Sequence, residues 1–369
     1  MKKTNYMGLQ LDNPIIVAAG PWSRDGSSIL RCFESGAGAV VTESIVSDAI
    51  LDVRPRIAYN GSGAENIRLY SDVQIEGWER EMEIAKSGGG KVIASVSAHT
   101  PSEMAYLTAK LQKFGADAIE ISISNPYMES LEVMASDAER VYRVTREVVS
   151  NVDIPVAVKL SQNTTNIMEV AKAAKDAGAS AVSAINTVRA ILGVDLEDRK
   201  PVLGTYGGYS GAPIRPLGLA SVASIAQSVD IPISGIGGVT NYREALEYIM
   251  LGATTVQVGT TMMIEGPQAV RKIVEGVEAW CSHRGIESID EIRGSALNNL
   301  RSFEEMKIEP AISTVGSTRC TDDCSKCMQV CLYDAISKQE GKITVDQKLC
   351  TGCGLCTFIC PSRKLKLNW

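Results

Sequence analysis

CTDDCSKCMQVC, residues 320–331, and CTGCGLCTFICP, residues 350–361, hold eight of the ten cysteines of this 369-residue chain. The second run is spaced C-x2-C-x2-C-x3-C and ends in Pro361; the first is spaced x3, x2, x3 and has Leu332 in place of the proline. Soft thiolates at such short intervals suit the corners of a [4Fe–4S] cube. Structural zinc sites pair two C-x-x-C units and rarely show the x3-C-P ending. Where two such runs occur together, the fourth cysteine of each serves the other cluster. Cys320, Cys324, Cys327 and Cys360 are therefore expected to hold one cluster, and Cys350, Cys353, Cys356 and Cys331 the other. The runs predict a small α+β domain of the two-cluster ferredoxin kind over 313–369, one run per half. A domain of that size has little apolar core, so the clusters supply much of its stability.

Working back from the tail, residues 13–283 alternate short β-rich runs with helical patterns. The strand candidates are PIIVAAG (14–20), AVVTES (39–44), KVIASVS (91–97), AIEISIS (118–124), IPVAVKL (154–160), SAVSAIN (180–186), IPISGIGG (231–238) and TTVQVGT (254–260). Helical patterns lie near 27–35, 75–86, 138–150, 167–177, 242–251 and 267–283, and Thr100 with Pro101 and Glu103 reads as another helix start. Eight β–α units predict a TIM (β/α)8 barrel. The runs are apolar throughout, as strands covered on both faces are. An open doubly wound sheet is the alternative that the unit count disfavours. The expected domains are a barrel over 1–295, a linker over 296–312 adjoining a helix at 288–296, and the cluster domain over 313–369.

Composition is that of a globular protein, 45% hydrophobic and 22% charged, and the net charge of −6 leaves no nucleic-acid footprint. No apolar run approaches the ~20 residues of a membrane helix, and MKKTNYMGLQLDNP lacks the apolar core of a signal peptide. With cysteines committed to clusters, a cytoplasmic location is expected. Cys32 and Cys281 fall in helical patterns and read as buried small hydrophobes.

A barrel of this kind places its active site at the C-terminal ends of its strands. There the sequence has Glu43, Ser44, His99, Ser122 to Asn125, Lys159, Asn186 and Thr187. Gly237, Gly238, Gly259 and Thr260 follow the last two strands, where loops of this fold grip phosphate and glycine lets backbone N–H groups approach an anion. Clusters pass single electrons and organic substrates change by two, so a flavin is the expected intermediary, and a barrel phosphate site suits FMN. No strand–GxGxxG–helix unit is present, so NAD(P)H would act through a partner. The excursion 45–74 carries Arg54, Arg56, Asn60, Asn66 and Arg68. It reads either as an exposed charged loop or as a substrate lid in which Arg68 meets an anionic group.

NPIIVAAGP (13–21), RPRIAYN (54–60), VKL (158–160), INTV (185–188), GGYSGAPIRP (207–216), SGIGG (234–238) and QVGT (257–260) together carry a family likeness. The combination resembles the dihydroorotate dehydrogenase-like FMN barrels. With the tail it is most similar to the FMN and iron–sulfur half of dihydropyrimidine dehydrogenases, over nearly the whole chain. The resemblance implies that Ala19, Gly20, Ser44, Ser122, Lys159 and Gly211 lie against the flavin, and that Gly237, Gly238, Gly259 and Thr260 hold its phosphate. It implies that Asn66, Asn186 and Thr187 hydrogen-bond the substrate ring. Three positions depart from the family pattern. Ser122 stands where the family has asparagine, Asn125 where it has the acid/base cysteine, and Glu43 where it has a lysine. An amide does not exchange a proton near neutral pH, so Asn125 is expected to hydrogen-bond substrate. The replacement acid/base candidates are Tyr127, His99 and Glu43. Tyr127 has an ordinary pKa near ~10 that suits an acid, His99 titrates in the useful range, and Glu43 serves if burial raises its pKa. Their bland alternatives are a cover for the ring, a helix start, and an ion pair with Lys159 or Arg68.

The implied activity is an FMN- and iron–sulfur-dependent oxidoreductase acting on a CH–CH or C=C bond beside a carbonyl in a small cyclic substrate, dihydropyrimidine dehydrogenase-like. Electrons would pass through two [4Fe–4S] clusters to a flavin–NAD(P) subunit or a ferredoxin, in a homo- or hetero-oligomer. Lys326, Lys338, Lys342 and Lys348 either guide an acidic carrier or solvate a surface. The alternatives are an ene-reductase of a non-pyrimidine ring or unsaturated acid, and an electron-relay subunit.

Overall fold

The computed structural model describes residues 3–48, 53–68, 70–125, 134–306, 311–316, 320 and 324–367. The chain divides into two compact units, Met1–Leu300 and Arg301–Trp369.

In the first unit eight strands close a barrel: Ile15–Val17, Ala39–Val41, Lys91–Val96, Ala118–Ser122, Val156–Leu160, Ala181–Ala184, Ile233–Ile236 and Thr255–Val258. Every neighbour is parallel and follows chain order, and the eighth strand pairs with the first. The strands are shorter than the sequence runs because the polar residues at the run ends leave the ladder to form the mouth. Side chains alternate between two environments, as the pleat demands. Ile15, Val17, Val40, Ile119, Ile121 and Val158 face outward into the main core beneath the helices. Ile16, Ala39, Val41, Ile93, Ala118, Ala157 and Ala181 face inward and form a separate cluster with Tyr6, Met7 and Leu11. These last three belong to an N-terminal hairpin, Thr4–Tyr6 paired with Leu9–Leu11, which the sequence did not mark. The hairpin closes the end of the barrel opposite the mouth, and the alanines of strands four, five and six leave room for it.

Helices are set by local signals. Asp25, Asp137, Asn166 and Asn241 cap their helices through side-chain acceptors, and Thr100 accepts from the Glu103 N–H ahead of Pro101–Lys113, as its sequence announced. Two expectations are corrected. The segment 288–296 is no α-helix: Ser288 and Glu291 form a capping box on the 3-10 turn Ile289–Glu291, but Gly294 at φ 73 reverses the chain a few residues later. The excursion 45–74 is not a plain loop. Ile57–Tyr59 and Gly63–Asn66 form a hairpin that joins Gly207–Gly211 and Val188–Ala190 in a four-stranded antiparallel sheet. A helix absent from the sequence reading, Arg215–Ala226, is built from small apolar residues with no polar stripe. Gly218 lets it approach Tyr248, whose hydroxyl would lie 2.0 Å from an added Cβ.

The second unit pairs Ser313–Val315 with Leu365–Leu367 and Ile336–Gln339 with Lys342–Val345, both antiparallel, around short helices Lys326–Gln329 and Leu355–Ile359. Its core is small: Ile336, Ile343 and Leu365 with Cys327 and Cys356.

Leu11, 1% exposed, is expected to anchor the barrel plug. Leu11→Ala should cost about 3 kcal/mol, as for other buried leucines, read as a lowered urea midpoint. Leu196→Ala, at 84% exposure, should leave the midpoint unchanged. Equal midpoints for the two variants would show that the hairpin does not close the barrel.

Candidate active site

The mouth of the barrel holds a cavity of about 170 Å³. Its floor is a polar layer inside the sheet. Glu120, on the fourth strand and 1% exposed, accepts a hydrogen bond from the Ser183 hydroxyl at 2.6 Å and from the Gln257 amide at 2.9 Å through Oε2. Its Oε1 lies 3.7 Å from the ammonium of Lys159, which rises from the fifth strand into the cavity. The Gln257 amide oxygen is buried with no hydrogen-bond partner among the described residues. Beneath this layer, burial and then the Glu120 charge push the Tyr6 phenol well above its ordinary pKa, so Tyr6 stays neutral.

One wall is glycine. Gly211, Gly237, Gly238 and Gly259 line it with Thr260, whose hydroxyl donates to Ser210 at 2.8 Å. Gly238 has φ +67, and a Cβ there would lie 2.7 Å from the Gly211 carbonyl oxygen. This is backbone laid open where a side chain would fill the wall. Ala19 and Gly20 line the cavity beside Trp22, whose indole N–H donates to the Ala18 carbonyl at 2.7 Å. The residues present fit FMN: the glycine wall suits its phosphate, and Lys159 with the open Gln257 oxygen offers a donor and an acceptor to the imide edge of its ring.

The opposite side carries the substrate candidates. Asn66, Arg68, Asn125, Asn186 and Thr187 all line the cavity, with Ser44 and Ser122. The Asn186 amide donates to the Ser124 hydroxyl at 2.7 Å, and its oxygen accepts from the Thr187 N–H at 2.9 Å. The Asn125 amide donates to the Tyr70 hydroxyl at a long 3.4 Å. Glu43 and Arg68 form a buried fork: Nε to Oε1 at 2.5 Å and Nη2 to Oε2 at 2.8 Å. Of the two readings of Arg68, the structure shows the ion pair with Glu43: two of its nitrogens hold that carboxylate while its side chain lines the cavity. Glu43 correspondingly sits in an ion pair. His99 is exposed and outside the cavity lining; its backbone N–H donates to the Glu103 carboxylate at 3.3 Å. Tyr127 lies outside the described residues. Glu120, Gln257, Tyr70 and Trp22 line or support the cavity but escaped sequence reading. The polar inward positions of AIEISIS and TTVQVGT were the available signal for the first two.

In the second unit Cys331, Cys350, Cys353 and Cys356 line one small cavity. Cys320 packs against the small core that holds Cys327, whose thiol is pushed up above all by burial. Backbone N–H groups of Ser313 and Lys364 point at Cys350 Sγ (3.5 Å) and Cys360 Sγ (3.3 Å). Gly352 holds φ +70 where a Cβ would lie 1.9 Å from the Ala311 carbonyl. Such N–H groups stabilise thiolate, and four cysteines on one small cavity are the donor set a cubane takes, although among the described residues no three side chains already converge as ligands of one ion. Elsewhere Cys32 is buried, and burial pushes its thiol up to about 12, while Cys281 is fully enclosed. Among the described residues no helix is long and apolar enough to cross a membrane.

Residues 1–280 match the family model for dihydroorotate dehydrogenase, and residues 303–364 match that for a 4Fe-4S dicluster domain. The chain is 35% identical over 306 residues to the dihydroorotate dehydrogenase B (NAD(+)) catalytic subunit of Methanothermobacter thermautotrophicus, covering 80% of this chain and 98% of that one. It is 37% identical over 298 residues to the protein of that name from Thermoplasma volcanium, and 36% over 302 residues to that of Pyrococcus furiosus, with the same coverage. Nearly all of each relative is thus spent on four fifths of this chain.

The cysteine grouping has a spectroscopic consequence. Cys331→Ser and Cys353→Ser should disturb the same reduced-cluster EPR signal, and Cys327→Ser the other, although Cys331 is closer in sequence to Cys327. If Cys331→Ser and Cys327→Ser disturb one signal together, the grouping is wrong.

Proposed function

The chain belongs to the dihydroorotate dehydrogenase family, and from that premise we propose that it is an FMN- and two-[4Fe–4S]-dependent oxidoreductase of a small cyclic substrate. The bond changed is a CH–CH or C=C bond beside a carbonyl, with dihydropyrimidine dehydrogenase-like chemistry as the first reading. The observation that carries it is the meeting, at one barrel mouth, of a glycine wall, a lysine and a set of neutral amides. Bound FMN would supply two-electron exchange with the substrate and one-electron exchange with the clusters.

The residues of the chain bind, orient and move the proton. Lys159 presents a positive charge to the cavity while Glu120 fixes its position from below. Asn66, Asn186 and Thr187 suit the alternating N–H and C=O edge of a cyclic amide, since amides both donate and accept. Asn186 is fixed in place by its bonds to Ser124 and to the Thr187 N–H, and would exchange part of them for a bond to the ring. Holding a flat ring in one orientation is itself a large part of rate enhancement. Asn125 donates to the substrate rather than exchanging a proton. With Glu43 in an ion pair and His99 outside the cavity lining, Tyr127 of the same loop is the proposed acid.

Electrons would leave or enter through the clusters to a partner, a flavin–NAD(P) subunit or a ferredoxin, within an oligomer. The name of the relatives, NAD(+)-linked catalytic subunits, supports a separate partner. The alternative, an ene-reductase of another ring or of an unsaturated acid, is favoured by Asn125 in place of a family cysteine.

The test is anaerobic. Chemically reduced holoenzyme is mixed with uracil, dihydrouracil, orotate, cyclic enones and unsaturated acids, and flavin absorbance is followed. Reoxidation by uracil is expected, with Tyr127→Phe slowing it about 100-fold, the usual contribution of a general acid. Asn125→Cys should speed it about tenfold or more. Reoxidation only by another compound selects the ene-reductase reading, and none by any compound leaves an electron relay.

A further inference from the structure

We propose that this cavity selects an uncharged ring against a carboxylate, and that Glu43 is the residue that decides it. The proposal rests on reading the cavity as the substrate site and names the substrate class: a neutral cyclic amide, imide or ureide.

The charges around the cavity are already matched. Arg68, 6% exposed, directs Nε and Nη2 at both oxygens of Glu43, 4% exposed, and Asp72 Oδ1 lies 3.7 Å from the same Nη2. Glu43 thus neutralises the guanidinium at the cavity, and the exposed Asp72 adds a second carboxylate from outside the lining. On the floor Lys159 is matched by Glu120 at 3.7 Å. An entering carboxylate has two courses. It displaces Glu43 from Arg68 and leaves a buried anion without its partner, or it sits beside Glu43 and adds a like charge in a place of low dielectric. Both are costly. An uncharged ring avoids both, because Asn66, Asn125 and Asn186 satisfy N–H and C=O groups with no charge left over.

Selectivity here works by repulsion as much as attraction. A lone cation at this wall would welcome a carboxylate such as that of dihydroorotate. The fork between Glu43 and Arg68 keeps the cation and removes the welcome. Glu43 is a specificity residue acting through Arg68, and its signature is a change in the ratio of affinities rather than in folding.

The experiment titrates oxidised holoenzyme with uracil and orotate, and with a cyclic enone and its ring carboxylic acid, following the ligand-induced change in the flavin spectrum. Wild type is expected to bind each uncharged ring more than about tenfold tighter than its carboxylate partner. Glu43→Gln keeps the shape of the fork and removes its negative charge. It should shrink that ratio by about tenfold or more, through tighter carboxylate binding. The double variant Glu43→Gln/Arg68→Met should lose the gain. Orotate binding wild type as tightly as uracil overturns the proposal without any variant, and so does a ratio unmoved by Glu43→Gln in protein of normal flavin content. If no ring of either kind perturbs the flavin, the substrate-site reading itself fails and the selection falls with it.

Discussion

One buried carboxylate, Glu120, ties the floor of this cavity together. An isolated carboxylate costs several kcal/mol to enclose, and it is tolerated only where partners repay that cost. Ser183, Gln257 and Lys159 do so from strands six, eight and five, so the charge on strand four links points right across the barrel interior. Below it the interior is hydrocarbon, closed by Tyr6 and Leu11 against the alanines of the inner wall. Above it the lysine is aimed into the cavity. The polar layer therefore separates a packed core from a reactive mouth, and it does so with residues that a strand pointing the other way would bury among helices. A one-residue slip in strand four would put Glu120 into that apolar shell, so the register of the strand is fixed by its charge as well as by its isoleucines.

The parts of the fold legible in the sequence were those written locally. Cysteine spacing, eight β–α periods and the Thr100–Pro101 helix start each lie within a few residues, and the barrel and 4Fe-4S domain followed from them. The antiparallel sheet beside the mouth was not legible, because Gly63–Asn66 takes its partner from Gly207–Gly211, far along the chain. Arg215–Ala226 was missed because it is apolar all round, and 288–296 was over-read because a good cap starts a helix that Gly294 does not let continue. At the site, the rule that barrel chemistry sits at strand ends found Lys159, Asn186 and the glycine wall. It could not find Glu120 or Gln257, which lie one layer deeper. Nor could it tell whether Arg68 faced a ligand or Glu43, since that pairing joins a strand end to a residue 25 positions on, past the hairpin, and exists only once both are folded.

Glu43 and Asn125 are best read together. Arg68, two residues past the hairpin strand Gly63–Asn66, is bound to Glu43, so its positive charge is capped where it meets the cavity. Asn125, beside Tyr70 at 3.4 Å, extends a lining of neutral donors and acceptors in which charge is held in pairs.

Pairing of this kind has a further physical effect on the mouth of the barrel. A bare cation stabilises any negative charge that develops nearby, whether on a bound ring or on a substrate carbonyl, and an ion pair of opposite signs stabilises it far less. With Arg68 held by Glu43, Lys159 is the cation left to that task among the described lining residues, and Glu120 beneath it moderates it in turn. Asn66, Asn125 and Asn186 line the same cavity with neutral donors and acceptors.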